Sequence, residues 1–521
     1  MTEMNDKAGR GIHAGVVAAG SPYAAEAGAE ILRKGGSAAD AAVAATLAIC
    51  VSDPANASLL GRAQILVRGS NGAFAAIDGA SAAPSSIPLP PDIAGEMTGL
   101  ACAGIPGLPQ ALGQLHRRFG RLPLGEVASP AIKLAEQGFR PPEHLSAVWA
   151  LRADQLAANQ AMTYSRPGDG MDFRHPRLGA LLRDFANNGA AAITQGETAR
   201  QLVAGVRDNG GYWTPADLAG NDAREGELLH GRFRDCTVST IGRQGWGHSL
   251  IQMLMILDQF PAFGSNMTAD EALRLILTIR TCFADRPQRL GTLEPKPDGL
   301  ALEMLVSPDF VASRAEAIRK ELSQPANMVQ HRAGTEPECV VEEDQDTTHL
   351  STLDASGASV ALTCSIGPHF GLRCIEPTFG LLPAKSYRME TDPAPGLRDV
   401  TEMAPVIVSR NGHPILTIGA AGSERIPGAI VQVIANVIDR GLDLQEAVAR
   451  PRVNLKDDRP RVHRDIGTEV IAELTARGFS PELSERGHLN HLGIVHAVGV
   501  DASGQMTGAA DDAWDGTVAF A

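Results

Sequence analysis

The chain has 521 residues, enough for one large core or several domains. Its apolar fraction of 44% is that of a folded globular protein, and its charged fraction of 20% is slightly low, which excludes disorder as a whole-chain state. Sixty acidic residues against 46 basic ones leave a net charge of −14, which argues against general binding to nucleic acid or an anionic membrane.

In chain order, Ser21-Pro22 opens a predicted helix over Tyr23 to Lys34, which Gly35-Gly36 closes. Ser37 and Asp40 have capping-box spacing and start a second helix of small apolar residues, buried on every side and ended by Asp53-Pro54. Its run from Ala41 to Val51 is the longest apolar stretch and falls short of the ~18 residues that span a bilayer. Gln64 to Val67 and Phe74 to Ile77 flank Ser70-Asn71-Gly72 and read as a hairpin. Pro106 to Leu218 reads mainly as helices, as do Ser249 to Leu257 and Ala269 to Cys282. Pro325 to Asp346 is polar and acidic and reads as an exposed linker.

Beyond it the texture turns to strands. Thr348 to Leu353 and Ala358 to Ser365 flank the turn Asp354 to Gly357. Val406 to Ser409 and Ile415 to Ile418 flank Asn411-Gly412. Ile426, Ile430, Val431, Ile434, Val437 and Ile438 recur at helical spacing. Segregated strands and helices suggest a layered α+β architecture. The seven scattered cysteines fit reduced thiols better than a disulfide framework. With no apolar leader visible in Met1 to Gly11, the expected location is the cytoplasm, with the periplasm as the alternative.

The common motifs are missing: no P-loop, no HExxH, no GxSxG and no metal-ligand spacing among the 14 histidines. One constellation does carry chemistry. Thr347-Thr348-His349 opens a strand directly after the acidic linker. A threonine hydroxyl is a poor nucleophile unless a base sits beside it, and chain cleavage before Thr347 would supply one in the freed α-amine. Such an amine has an ordinary pKa of ~7.7–8.0, close to working pH. The glycine-rich turn Gly419 to Gly422, between a strand and a helix, offers backbone N–H groups to an oxyanion.

Several segments, in register along most of the chain, resemble the γ-glutamyltranspeptidase (glutathione hydrolase) family of N-terminal-nucleophile hydrolases. They are Gly35-Gly36-Ser37-Ala38-Ala39-Asp40, Gly104-Ile105-Pro106-Gly107 with Phe119-Gly120-Arg121, Gly211-Tyr212-Trp213-Thr214, Phe283-Ala284-Asp285-Arg286, Thr347-Thr348-His349, and Asp439 to Val448. The resemblance implies a four-layer αββα sandwich. It implies self-cleavage between Asp346 and Thr347, giving a large chain 1–346 and a small chain 347–521 that stay together as one interleaved heterodimer. It makes Thr347 the nucleophile, Ser365 the second hydroxyl that orients it, and Gly422-Ser423 the oxyanion pair. It implies a small-molecule amide substrate and no cofactor or metal.

The family's acyl pocket carries over poorly. Its carboxylate-binding arginine falls on Ala80, its asparagine on Gly367, its amine-binding pair near Ser386 and Met389, and its serine pair on Thr401-Glu402. Arg62, Arg373 and Lys385 are candidate replacement cations, and Glu402 a candidate replacement anion. The expected activity is therefore γ-glutamyl-type amide hydrolysis or acyl transfer with altered recognition of the α-carboxylate and α-amine. A different small acyl donor (oxamate-like or a dicarboxylic monoamide) is the first alternative, and an idle binding relative the second.

Overall fold

The computed structural model describes residues 13–87, 99–158, 173–286, 300–323, 345–386, 394–456, 459–487 and 491–521. The chain enters as strand β1 (Gly15–Ala19) and turns into helices α1 (Pro22–Arg33) and α2 (Ala38–Ser52). The capping box forms as its spacing predicts: the Asp40 N–H donates to Ser37 Oγ at 3.2 Å and the Ser37 N–H to Asp40 Oδ2 at 2.9 Å. Every residue of α2 is buried, so its small side chains are what allow close packing on all sides. Ser21 stands at the N-cap of α1 but makes no cap bond; its hydroxyl pairs with Ser52 Oγ at 2.8 Å and ties the two helices together.

Three sheets form. The strands are β2 (Arg62–Arg68), β3 (Phe74–Gly79), β4 (Arg224–Glu225), β5 (Leu228–Phe233), β6 (Cys236–Ile241), β7 (Gln345–Asp354), β8 (Ser359–Pro368), β9 (Val406–Arg410), β10 (His413–Ala421), β11 (Val453–Lys456), β12 (Arg459–His463), β13 (Glu482–Ser484), β14 (Ile494–Val500), β15 (Met506–Ala510) and β16 (Thr517–Phe520). A seven-stranded sheet runs β16-β1-β7-β8-β2-β3-β4, and a six-stranded sheet runs β15-β14-β10-β9-β6-β5. A small third sheet orders β11-β12-β13.

The two large sheets lie face to face. Val16, Ala18, Leu353 and Val498 fill one part of the space between them, and Leu66, Ala361 and Ile407 another. On its outer side the seven-stranded sheet packs against α1, α2 and the helices Leu108–Phe119 and Leu124–Gln137, around a core that includes Val17, Ile65, Leu350 and Leu362. The six-stranded sheet is covered by the helices Gly247–Asp258, Ala269–Asp285 and Arg425–Ile438, around Val238, Val408, Ile418 and Ile430. This is the expected helix–sheet–sheet–helix sandwich.

The structure also amends the sequence reading. Most of the expected linker lies outside the described residues, but its last two residues, Gln345 and Asp346, belong to β7 and pair with Pro368 and Gly367. The hairpin at Asn411-Gly412 forms with both residues at positive φ, 51° and 79°, the conformation that this pair favours. No helix among the described residues is long and apolar enough to cross a membrane. Among those residues the cysteines are all free; Cys339 lies outside them.

Candidate active site

Thr347 sits in β7, the strand of the seven-stranded sheet between β1 and β8; β1 pairs with it only from Leu350 to Asp354. The β7–β8 ladder pairs Asp346 with Gly367 and Thr348 with Cys364, so Ser365 and Ile366 together oppose Thr347. A two-against-one step of this kind is a β-bulge, which bends the strand and re-aims its side chains. Thr347 and Ser365 are both buried, at 6% and 2% exposure. The Ser365 hydroxyl accepts the Gly367 N–H at 2.8 Å. Gly367 has φ +92°, which explains glycine in the place where the family resemblance puts an asparagine.

Below Thr347 the space between the sheets is polar. His349 is fully buried, with Nδ1 2.8 Å from Thr363 Oγ1 and Nε2 2.9 Å from Ser351 Oγ. The Ser351 hydroxyl donates its proton to the His496 carbonyl at 3.3 Å, so it accepts from His349, and the ring carries its proton on Nε2. Burial, and the nearby His496 ring, hold the His349 pKa well below its ordinary value. Burial lowers His496 to about 4. Both histidines are thus neutral, and they form a polar floor between β7 and the facing sheet.

The Gly422-Ser423 turn follows β10 on the facing sheet and leads into the helix Arg425–Ile438. Gly422 has φ +118° and Ser423 +51°, and the Ser423 hydroxyl donates to Glu402 Oε1 at 3.1 Å. Glu402 is buried, and desolvation raises its pKa against the opposing fields of Arg62 and Arg286. Arg62, on β2, pairs in register with Ser365, and its charge acts on Glu402, which accepts the Ser423 hydroxyl.

The other predicted residues separate. Arg62 is 1% exposed; its Nη1 donates to the Lys385 carbonyl at 2.8 Å and lies 3.4 Å from Asp399 Oδ2. Ser386 donates to the other oxygen of that carboxylate at 2.9 Å, and Ser81 to Oδ2 at 2.5 Å. Arg62 and Ser386 therefore meet on Asp399, a buried ionic knot at the start of β2. Thr401 is 1% exposed, and its Oγ1 has no hydrogen-bond partner. Arg373 stands elsewhere, half-buried at φ +55°, where its charge acts on Arg152. Ala80 is 1% exposed beside Asp78, whose carboxylate is already held by Arg398 Nε at 3.2 Å and Gln64 Nε2 at 2.7 Å. Met389 lies outside the described residues.

Three groups at the site were not singled out from the sequence for a role there. His491 lies against the Gly422-Ser423 turn: a Cβ at Gly422 would be 3.0 Å from its Cε1. The Arg286 guanidinium carbon lies over the Trp246 ring, 3.3 Å from its centroid, and burial lowers the pKa to about 10. Arg286 belongs to a segment already noted for its likeness, but nothing local in the sequence ties it to Trp246 or Glu402. Among the described residues no His, Cys, Asp and Glu side chains gather as a metal site.

Comparison with known proteins places the chain in a family. The gamma-glutamyltranspeptidase family model matches residues 24–521. The chain is 30% identical over 536 residues to the acylase ACY 1 proenzyme of Pseudomonas sp. (strain SE83), covering 96% of this chain and 93% of that protein. It is 27% identical over 534 residues to the glutathione hydrolase proenzyme of Escherichia coli (strain K12), covering 95% and 90%. The crystal structure of cephalosporin acylase from Bacillus halodurans shares the fold, with a TM-score of 0.83 over 100% of this chain and 99% of that one at 24% identity. The chain belongs to the gamma-glutamyltranspeptidase family, and it is an enzyme of that kind.

Proposed function

We propose that the protein is a self-cleaving amide hydrolase or acyltransferase whose nucleophile is Thr347, with an acyl pocket that departs from ordinary γ-glutamyl recognition. The observation that carries this reading is the β-bulge that sets Thr347 opposite Ser365. In maturation, Thr347 Oγ attacks the carbonyl carbon of Asp346 and the C–N bond breaks, leaving an ester and a free α-amine. Water then hydrolyses the ester, giving an Asp346 carboxylate and restoring the hydroxyl. The chain becomes segments 1–346 and 347–521, and both large sheets contain strands from each.

In turnover the α-amine takes the Thr347 hydroxyl proton as Oγ attacks the substrate carbonyl. The amides of Gly422 and Ser423 stabilise the oxyanion. The protonated amine then gives its proton to the leaving amine, and water or an acceptor amine releases the acyl group. The pocket departs from γ-glutamyl recognition because Ala80 has no cation to offer. A carboxylate that loses a bidentate arginine loses a strong contact.

Intact mass spectrometry of the purified protein, with N-terminal sequencing, tests the reading. The expected result is a fragment beginning Thr347-Thr348-His349 from wild type and a single uncut chain from Thr347→Ala. Thr347→Ser keeps a hydroxyl and an α-amine, and should cut slowly. An uncut wild-type chain, or cleavage that survives Thr347→Ala, overturns the proposal.

A further inference from the structure

A cleft of about 430 Å³ lies apart from the candidate site, and its lining comes wholly from residues 110–222. That volume falls in the ~300–1,000 Å³ range of small-ligand sites. One wall is the helix Leu108–Phe119; the other is the segment Asn188 to Gln195, which ends the helix Pro176–Asn188 and leads into the helix Gly196–Arg207. Absent side chains shape the floor. A Cβ at Gly113 would stand 3.4 Å from that of Ala190, and one at Gly189 would meet only Leu124 Cδ2, at 4.0 Å.

The cleft is polarised along the helix. At one end the guanidinium of Arg117 folds back over Gly113, with Nη1 3.2 Å from where a Cβ there would be. At the other end stands Asp222. The segment that carries it runs beside the helix: Asn221 Nδ2 donates to the Pro106 carbonyl at 3.1 Å, ahead of the first turn, and Glu225 pairs with Arg118 in the last. Asp222 thus falls at the Gln110 end. Neither the Arg117 nor the Asp222 side chain has a hydrogen bond or ion pair among the described residues. Gln110 Nε2 donates to Thr194 Oγ1 at 3.4 Å, which leaves the Gln110 carbonyl to accept from a ligand, and the Gln195 amide can donate and accept.

We propose that this cleft binds a short linear peptide of about three residues with both termini free, its carboxylate on Arg117 and its ammonium on Asp222. The length follows from the helix. Gln110 and Arg117 are seven residues apart, about 10.5 Å at the α-helical rise, and three extended residues span about 10 Å. A lone anion would leave Asp222 without a counter-charge, and a neutral ligand would leave both ends without one. The shallow floor of Gly113 and Ala190 suits small side chains. No residue that lines the cleft lies in the segments that carry the family resemblance. The site stands apart from the amide-hydrolase reading and does not depend on it.

Calorimetry on the purified protein tests this with trialanine, N-acetyl-trialanine and trialanine amide. Trialanine should bind wild type, and each blocked peptide should bind ~3–10-fold more weakly, as for one well-aligned but partly exposed ion pair. Arg117→Gln should weaken trialanine by a similar factor and leave trialanine amide at its wild-type affinity. Asp222→Asn should weaken trialanine and leave N-acetyl-trialanine unchanged. A general change in net charge would not match each variant to one terminus. Both side chains are exposed, so neither substitution should lower the Tm. Three results overturn the proposal: wild type that binds no trialanine, blocked peptides that bind as tightly as trialanine, or variants that bind trialanine as wild type does. The last would place the peptide elsewhere, the candidate active site included.

Discussion

Gly61→Ala should damage the candidate site without touching any reacting group. Gly61 precedes Arg62 at the start of β2. A Cβ there would stand 2.8 Å from the Ser58 carbonyl oxygen and 2.9 Å from that of Ser365, and 3.3 Å from Ile366 Cγ2. Two of these neighbours are backbone atoms that cannot swing aside. Gly61 cannot retreat either, because its N–H donates to the Ser58 carbonyl at 2.9 Å and its carbonyl accepts the Gly107 and Leu108 N–H groups, each at 3.0 Å. Its φ is not positive, so alanine meets no backbone strain and gains ~0.5–1 kcal/mol from the stiffer unfolded chain. Against that stands overpacking worth ~1–3 kcal/mol. The net expectation is a loss of ~1–2 kcal/mol. A comfortable contact needs roughly half an ångström more room, and part of that shift falls on Ser365. Since a 1 Å misplacement costs ~10²-fold, half of it predicts a loss of about tenfold in cleavage rate and kcat. Denaturant unfolding and a cleavage time course by intact mass read the two effects. Gly125→Ala is the control: it lies on an exposed helix face with nothing within 4 Å of the added carbon, and should be neutral or stabilising. Wild-type stability and cleavage in Gly61→Ala would refute the reasoning.

Three further predictions follow from buried groups. Ala80→Arg should not restore γ-glutamyl hydrolysis: it buries a cation beside Arg398, whose partner Asp78 is already bonded, at a cost of ~3 kcal/mol or more. Thermal unfolding and turnover of γ-glutamyl p-nitroanilide check this; a stable, active variant would contradict it. Ser423→Gly should keep turnover, because the amide stays; relief of ~1 kcal/mol at φ +51° offsets a lost hydrogen bond to Glu402 of about 1 kcal/mol, and a dead variant would show that the hydroxyl itself is required. The buried His496 has a folded pKa of about 4 against 6.5. It stabilises fully above pH 6.5, and that stability is lost as pH falls towards 4, by up to about 3 kcal/mol. His496→Asn should flatten that part of the pH–stability profile, and parallel profiles would exclude His496 as its source.

The parts legible in the sequence were those fixed by near neighbours. Ser37 and Asp40 cap each other three residues apart, Asn411-Gly412 favours a tight turn, and α2 is apolar all round. Strand β1 was missed because five buried residues have no alternation to read. The β5–β6 hairpin was missed because its turn carries no Gly or Asn: Arg234 takes φ +54° there, held by ion pairs to Asp258 and Asp439. In the candidate site, Thr347 and Ser365 stood out through a motif and a resemblance. The role of Arg62 did not, because its partner Asp399 lies 337 positions away. An ionic knot between such distant residues leaves no periodicity in either segment.

The same division bears on the proposed function, in which Thr347 is kept while the acyl pocket differs. The strand that carries Thr347 is held by the β8 ladder on either side of the bulge and by β1 from Leu350 to Asp354, and a one-residue slip would turn every side chain of β7 to the wrong face. Substitutions that move it unpair a central strand and are costly. Arg286, Trp246 and Thr401-Glu402 come instead from connections: Arg286 just beyond a helix, Trp246 before another, and Thr401-Glu402 ahead of β9. Side chains there can be exchanged without disturbing a ladder. In the proposed function, the lack of a cation at Ala80 therefore requires no change in β7. The reaction class can stay fixed by the sandwich while the donor is chosen by its edges.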